Sequence, residues 1–404
     1  MRILYVHSTP VPPPTNVETD RFYLLSGNLD GDVLQPCWFR TPEEVEAVFG
    51  PGSYPVYTAG RFRYHWFLSQ RVGIRQKLAM FWFYLRKGRE LYRERHYDCI
   101  VAYSHMTTGL CAGLLKLLTG AKLIIEIVTA PSLAYLTERP HPTRKERWMH
   151  RYSDVCLHLS MLLADRAHFL FPQQLSGYSR LQKVKNSVFH EFVPTSTIER
   201  HREETSEIFV LLIGAPWYLK GADLLIEAFR RLAPDFPHVK LKLLGHFPDG
   251  DKLHELIGGT PQIEVLKARP HPEAMRIVSD ATILALPSRC EGMARVLVEG
   301  MAAGIPLVGS NVGGIPFVIR DGENGFVVPG GDSQALEARL RELLSDPALR
   351  ARMGANGHHR AHEELTEIVY VAHFTRMVED TIGNRMNQDS DDRGLTSLAS
   401  QNDA

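Results

Sequence analysis

From residue 207 onward the chain repeats one pattern: a short, mainly apolar run, a turn, then apolar residues at helical spacing. The runs at 208–213, 239–244, 263–266, 282–286, 306–309 and 325–328 read as strands. Residues 222–232, the stretch from 272 and residues 295–303 read as the intervening helices. Short, mainly apolar runs alternating with helices indicate a parallel sheet. The first half keeps the same rhythm more sparsely. There, 3–6, 97–103 and 122–128 are strands, and 107–118 is the helix of a βαβ unit. The pattern predicts an α/β protein of two Rossmann-like halves, with its boundary in the irregular, polar segment 184–207.

We place the domains at 1–195 and 196–365. A helix within 366–383 follows, expected to return to the first domain, and then a polar tail over 384–404, expected to be disordered. At 404 residues the chain has length for two cores. Lys+Arg and Asp+Glu are both 46, so no broad basic face is available overall, which argues against a nucleic-acid binder. Five unclustered cysteines fit a reducing compartment rather than a disulfide framework or a zinc site. The apolar start is too short for a signal peptide, and no run reaches the roughly 18 apolar residues of a membrane span. The expected location is cytoplasmic, soluble or peripheral on the inner face of a membrane.

The densest chemical signal runs from Pro287 to Pro306. A strand end passes through Ser288, Glu291 and Gly292 into a helix that carries Glu299, then through Gly304 and Pro306 into the next strand. A helix N-terminus at the carboxyl end of a parallel strand offers unpaired N–H groups to an anion such as phosphate. Glu291 and Glu299, at most about 12 Å apart along a helix, suit hydroxyls at two ends of an elongated ligand. The plain alternative is two carboxylates on an ordinary helix surface.

This stretch resembles the nucleotide-sugar site of retaining GT-B glycosyltransferases of the glycosyltransferase family 4 type. Their Pro-Ser-x-x-Glu-Gly turn and following Glu-x-x-x-Gly-x-Pro keep the spacing of Glu291 and Glu299. Val312-Gly313-Gly314-Ile315-Pro316 and the hairpin-like Asp321-Gly322-Glu323-Asn324-Gly325 extend the match. Gly214 with Lys220-Gly221 resembles the loop that holds the donor diphosphate. The resemblance covers about 207–345 and implies a GT-B architecture, two Rossmann-like domains facing across a cleft. It implies that Glu291 holds the transferred sugar and Glu299 the ribose. Lys220 would neutralise the diphosphate, and backbone N–H groups of Gly292, Met293, Ala294 and Arg295 would cap its oxygens. The nucleotide sugar is a substrate, so the resemblance implies no cofactor and no metal. Asp389-Ser390-Asp391 falls in the polar tail.

Two positions depart from the pattern. Ala215 stands where the family carries an arginine, for which Arg295, Arg289 or Arg269 are candidate substitutes. The strand over 122–128 ends without the family's acceptor-side histidine. His105 is a candidate replacement, the alternative being a loop histidine with no catalytic role. Glu126, inside an apolar run, is either functional or an edge-facing strand residue. The N-terminal loop carries Pro12, Pro13 and Pro14 in place of the family's paired glycines.

Between Arg61 and His96 the neutral total conceals ten basic residues against Glu90 and Glu94, interleaved with aromatics including Phe62, Tyr64, Trp66, Phe81 and Trp82. Such a stretch suits an interfacial helix on anionic lipid. The alternatives are an amphipathic helix pair whose aromatics fill the core, or a surface that stacks single-stranded nucleic acid. The combined expectation is an enzyme that moves a sugar from a nucleotide sugar to a carbohydrate or lipid-linked acceptor in surface polysaccharide or glycolipid synthesis. The competing expectation is a non-catalytic donor-binding or scaffold subunit of the same fold; a nucleotide-sugar epimerase fits the motifs less well.

Overall fold

Parallel strands with apolar side chains on both faces need helices on both sides, and the central strands of two sheets meet that need. The computed structural model describes residues 1–8, 20–37, 39, 41–68, 73–128, 143–175, 183–199, 207–247 and 250–383. Residues 12–14, Ala130 and Pro131, and the 384–404 tail with Asp389 and Asp391 lie outside them.

The first sheet holds β1 (Arg2–Val6), β2 (Asp30–Pro36), β3 (Val56–Ala59), β4 (Phe62–Phe67), β5 (Cys99–Tyr103), β6 (Lys122–Ile127), β7 (Arg166–Phe169) and β8 (Asn186–Val188). Its spatial order is β3-β4-β2-β1-β5-β6-β7-β8, parallel throughout except for the antiparallel β3–β4 pair. Its helices are α1 (Arg21–Leu25), α2 (Pro42–Phe49), α3 (Ile74–Arg95), α4 (Thr107–Thr119) and α5 (Arg144–Leu163). The second sheet holds β9 (Phe209–Ile213), β10 (Lys240–Gly245), β11 (Ile263–Lys267), β12 (Ile283–Leu286), β13 (Leu307–Ser310) and β14 (Gly325–Val328), all parallel, in the order β11-β10-β9-β12-β13-β14. Around it lie α6 (Ala222–Leu232), α7 (Gly250–Ile257), α8 (His271–Asp280), α9 (Arg295–Ala302), α10 (Ile315–Val318), α11 (Ser333–Ser345) and α12 (Pro347–Glu364). The last helix, α13 (Glu367–Ile382), closes the described chain. Both sheets show the βαβ connectivity of a Rossmann-like domain.

The period-2 alternation of the strands sends their side chains into two separate cores per sheet. In the first sheet, Leu4, Ile100 and Leu123 point under α3, α4 and α5, meeting Tyr84, Leu91, Leu115 and Leu157. Ile3, Val101 and Ile124 point the other way, under α1 and α13, where Phe22, Tyr370, Phe374 and Met377 cover them. The last helix therefore packs on the first sheet, although the chain reaches it from the second. Glu367 anchors that return by accepting hydrogen bonds from the Ser196 N–H (3.0 Å) and the Thr195 hydroxyl (3.1 Å).

Three local readings change. Residues 62–67 are a strand, not part of a helix pair; Phe62, Tyr64 and Trp66 are its buried face, while Arg63 pairs with the buried Asp32 at 2.7 Å. The alternation is period 2 there and period 3.6 only from Ile74. The segment 184–207 contains β8, and its Phe189, Phe192 and Val193 are buried. The 321–325 stretch is no strand hairpin, because β14 runs parallel to β13. Instead the Asn324 side chain turns inward, accepting the Arg320 N–H at 2.7 Å and donating to the Val318 carbonyl at 3.2 Å.

Candidate functional site

β9 and β12 are neighbours in the second sheet, so the loops leaving their carboxyl ends must lie side by side. The loop after β9 carries Gly214, Ala215, Lys220 and Gly221, and the loop after β12 carries Ser288 to Ala294. Gly221 has φ +73°, and a Cβ there would stand 2.0 Å from the Pro287 carbonyl oxygen, so only glycine lets the two loops touch. Gly214 has φ +130°, and the Lys220 stem lies over it.

That contact delivers Lys220 to Glu291. The Lys220 ammonium donates to Glu291 Oε1 at 2.5 Å, and the Ser288 hydroxyl donates to the same oxygen at 2.8 Å. Glu291 is buried, while Lys220 keeps about a fifth of its side chain in solvent. Ser310 on β13 donates its hydroxyl to the Ser288 carbonyl at 2.5 Å, which fixes the turn from beneath.

The turn is braced by the Gly313–Gly314 pair. A Cβ on Gly313 would meet the Glu291 carbonyl oxygen at 2.1 Å, and the Gly314 N–H donates to the Gly292 carbonyl at 2.7 Å. Ala294, in the left-handed region at φ 53°, starts α9, and no side chain caps that helix. Its first N–H groups are thus without side-chain acceptors at the carboxyl end of β12, a setting that suits anionic oxygens. Glu299 lies buried along α9, with Oε1 3.2 Å from His271 Nε2.

Of the arginines offered in place of the residue missing at Ala215, Arg289 is already committed. Its guanidinium holds Asp223 with two bonds of 2.7 and 2.6 Å and stacks over the Tyr218 ring at 3.8 Å. Arg295 and Arg269 are exposed and make no hydrogen bond or ion pair among the described residues. His105 is not brought to the Lys220–Glu291 pair. Its ring is buried between the start of α4 and α5, with Nε2 2.8 Å from Ser153 Oγ. Burial pushes its pKa down to about 4, against a pull from Asp154 in the other direction.

Glu126 is no edge residue, since β6 lies between β5 and β7. It is fully enclosed, accepting the Tyr5 hydroxyl and facing His168 Nδ1 at 3.1 Å and the Arg21 guanidinium at 3.8 Å. Burial alone would raise its pKa; Arg21, His168 and Tyr5 outweigh it and hold the carboxylate below its usual range.

The sequence reading missed how the first domain meets the site. A Cβ on Gly292 would stand 2.5 Å from the Val128 carbonyl oxygen, just past the end of β6. Phe171, following β7, lies against Gly314, and the Glu191 N–H contacts Met293 Sδ at 3.1 Å. The turn that carries Glu291 is therefore seated on the strand ends of the first sheet. His271 was also missed, since nothing in its spacing to Glu299 marks it. Among the described residues no three His, Cys, Asp or Glu side chains converge as metal ligands.

The family described as glycosyl transferases group 1 matches residues 195–360. The chain is 22% identical over 303 residues to N-acetyl-alpha-D-glucosaminyl L-malate synthase of Bacillus anthracis, covering 74% of this chain and 79% of that protein. It is 30% identical to D-inositol 3-phosphate glycosyltransferase of Thermobifida fusca over 42% of this chain and 43% of the relative, less than half of that relative's length. Among solved structures, sucrose-phosphate synthase from Thermosynechococcus elongatus superposes with a TM-score of 0.75 at 16% identity, over 95% of this chain and 100% of that one. Anabaena HepE in complex with UDP-glucose superposes with a TM-score of 0.67 at 15% identity, over 95% of this chain and 100% of that one. These likenesses give the fold as GT-B, with two Rossmann-like domains.

Proposed function

We propose, from the match of residues 195–360 to the group 1 glycosyl transferases, that the protein moves a sugar from a nucleotide-sugar donor to a carbohydrate or lipid-linked acceptor, with retention of configuration. The observation that carries this reading is the Lys220–Glu291 pair at the uncapped start of α9, where a cation, a carboxylate and free N–H groups converge. In the proposed complex, Lys220 and the N–H groups of Gly292 to Arg295 hold the donor's diphosphate, and no metal is needed for that charge. Glu291 receives hydroxyls of the transferred sugar, and Glu299 those of the ribose. HepE, whose structure is a complex with UDP-glucose, makes a uridine nucleotide the first donor to test.

The reaction places the acceptor hydroxyl on the face of the sugar from which the nucleotide departs. The acceptor oxygen bonds to the anomeric carbon as the bond to the diphosphate oxygen breaks. The acceptor's proton passes to the departing diphosphate, which leaves as the nucleoside diphosphate. Charge that grows on the leaving group meets donors already in place, which is where such sites lower the barrier most. Closure of the first domain over the turn at Gly292 would exclude water that otherwise hydrolyses the donor.

The rival reading is a donor-binding subunit without turnover, favoured by Ala215 and by the burial of His105 away from the pair. Purified protein incubated with UDP-, GDP- and ADP-sugars decides between them. Release of nucleoside diphosphate that a Glu291→Ala variant loses supports transfer. Donor binding with equal background release in both proteins supports the subunit. A carbohydrate made for the cell surface and an acceptor held at the inner face of a membrane belong to the same proposal.

A further inference from the structure

Nine of the fourteen large hydrophobic side chains exposed among the described residues sit on three adjacent helices, α3, α4 and α5. Those helices form one layer over one face of the first sheet, so their outward sides share one surface of the molecule. Trp82 is 65% exposed and Leu162 80%, with Leu117, Leu118, Trp148 and Val155 between them. None of these side chains serves the core, since each helix already buries an opposite stripe through Leu91, Leu115 or Leu157. A soluble face of this kind normally marks an interaction site.

The charges on the same helices decide what the site fits. Exposed Arg75, Lys77, Arg86, Arg89 and Arg93 on α3, together with Arg144, Lys145, Arg147 and Arg151 on α5, face only two exposed acids, Glu90 and Glu94. Arg86, Arg89 and Arg93 line an open groove beside Trp82 and Leu118, and the same two acids, Glu90 and Glu94, are the groove's only negative charges. A second copy docking here face to face would bring like charges together. An anionic bilayer instead offers phosphates to the arginines and a headgroup boundary to the two tryptophans. No helix among the described residues is long and apolar enough to cross a membrane, so the contact is with the surface of the bilayer.

We infer that the outer face of α3, α4 and α5 is a docking surface for an anionic lipid bilayer, held by the Arg86–Arg89–Arg93 row and by Trp82, Trp148 and the leucines beside them. It is wider than the 61–96 stretch that first suggested a membrane, because α4 and α5 supply most of its apolar area, whereas β4 turns its aromatics into the core. The inference rests on the proposed function only for the identity of the acceptor, which this surface would bring to the cleft as a lipid-linked sugar.

The test is co-flotation of the full chain with vesicles of phosphatidylcholine alone or mixed with phosphatidylglycerol, at low and high salt. Flotation only with the anionic vesicles, weakened by salt, is expected. The triple variant Arg86→Glu, Arg89→Glu, Arg93→Glu should lower vesicle affinity on the order of 100-fold or more, each basic side chain acting independently near the surface. Trp82→Ala with Trp148→Ala should weaken it without removing the salt dependence. Vesicle-free release of nucleoside diphosphate is measured on the same preparations and should be unchanged. Absence of flotation at low salt overturns the docking surface, as does a concentration-dependent dimer that the Trp82 and Trp148 changes dissolve. Either result leaves the donor chemistry to be judged by the release assay alone.

Discussion

Lys220 Nζ lies 2.5 Å from Glu291 Oε1, so the cation assigned to the diphosphate and the carboxylate assigned to the sugar are bonded to each other. A donor that uses both must part them, and its phosphate oxygens then compete with Glu291 for the ammonium. Removing only the negative charge separates the two roles. In Glu291→Gln, Lys220 loses its counter-charge and is free for phosphate, so UDP should bind as tightly as before or more tightly. Turnover should fall by about 10²–10³-fold, the scale of losing one preorganised polar contact at a reacting centre. Calorimetric UDP binding beside steady-state transfer checks this. A UDP affinity that drops in step with turnover would show that Glu291 supports the loop rather than the sugar.

Glu299 is assigned to the other end of the donor, and its partner His271 is largely exposed at the start of α8. Loss of a hydrogen bond to a charged group costs about 1.5–3 kcal/mol. Glu299→Ala should therefore weaken nucleoside diphosphate binding by roughly 10- to 100-fold, while binding of inorganic pyrophosphate stays the same. A variant that loses both ligands equally would place Glu299 in the support of α9 instead.

Gly292 carries no unusual φ, so alanine is acceptable to its backbone; the obstacle is the Val128 carbonyl oxygen 2.5 Å from where its Cβ would stand. Gly292→Ala should push the turn off the first domain, at the roughly 1–3 kcal/mol typical of an overpacked contact. Small-angle scattering should then show a larger radius of gyration, and transfer should slow at least about tenfold through misplacement of reacting groups. An unchanged scattering profile with unchanged turnover would mean that the seating at Val128 is not part of the working state.

The second domain was legible because its strands are mainly apolar runs and its turn residues are fixed by geometry. Gly221, Gly313 and Gly314 each stand where a side chain would strike a carbonyl oxygen, and such positions leave a mark in the sequence. The first domain was less so. Its β4 reads Phe-Arg-Tyr-His-Trp-Phe, and the arginine and histidine that look like surface charge converge on the buried carboxylate of Asp32. Partners that far apart in sequence leave no periodic signal. The same holds for Glu126, whose companions Tyr5, Arg21 and His168 come from three separate segments. The outer face of α4 was hidden for the opposite reason: a helix with leucines on several sides reads as core, and only the packing shows which side is left uncovered, as it does for the outward Trp148, Val155, Leu159 and Leu162 of α5.

Two of the buried histidines, His105 and His190, give the chain a pH dependence in a window of its own. Burial holds both His105 and His190 down to a pKa of about 4; Asp154 opposes this at His105, and at His190 the hydrogen bond to the Glu191 carbonyl does so. In the unfolded chain each titrates near 6.5. Between those values the unfolded state binds more protons than the folded one, so stability is complete above pH 6.5 and falls as the pH drops toward 4. From pH 6.5 to 5 the loss should reach about 1.5 kcal/mol for each histidine. The depressed carboxylates of Asp32 and Glu126 lose their contribution mainly below pH 5, where their unfolded forms take up protons, so they add little to the slope between pH 6.5 and 5. Denaturant melts at pH 6.5 and 5 measure the loss. In His105→Gln, which retains a polar group for Ser153 but does not titrate, the difference between the two melts should shrink by the His105 share. A slope unchanged by that substitution would mean that His105 takes up its proton without leaving the fold.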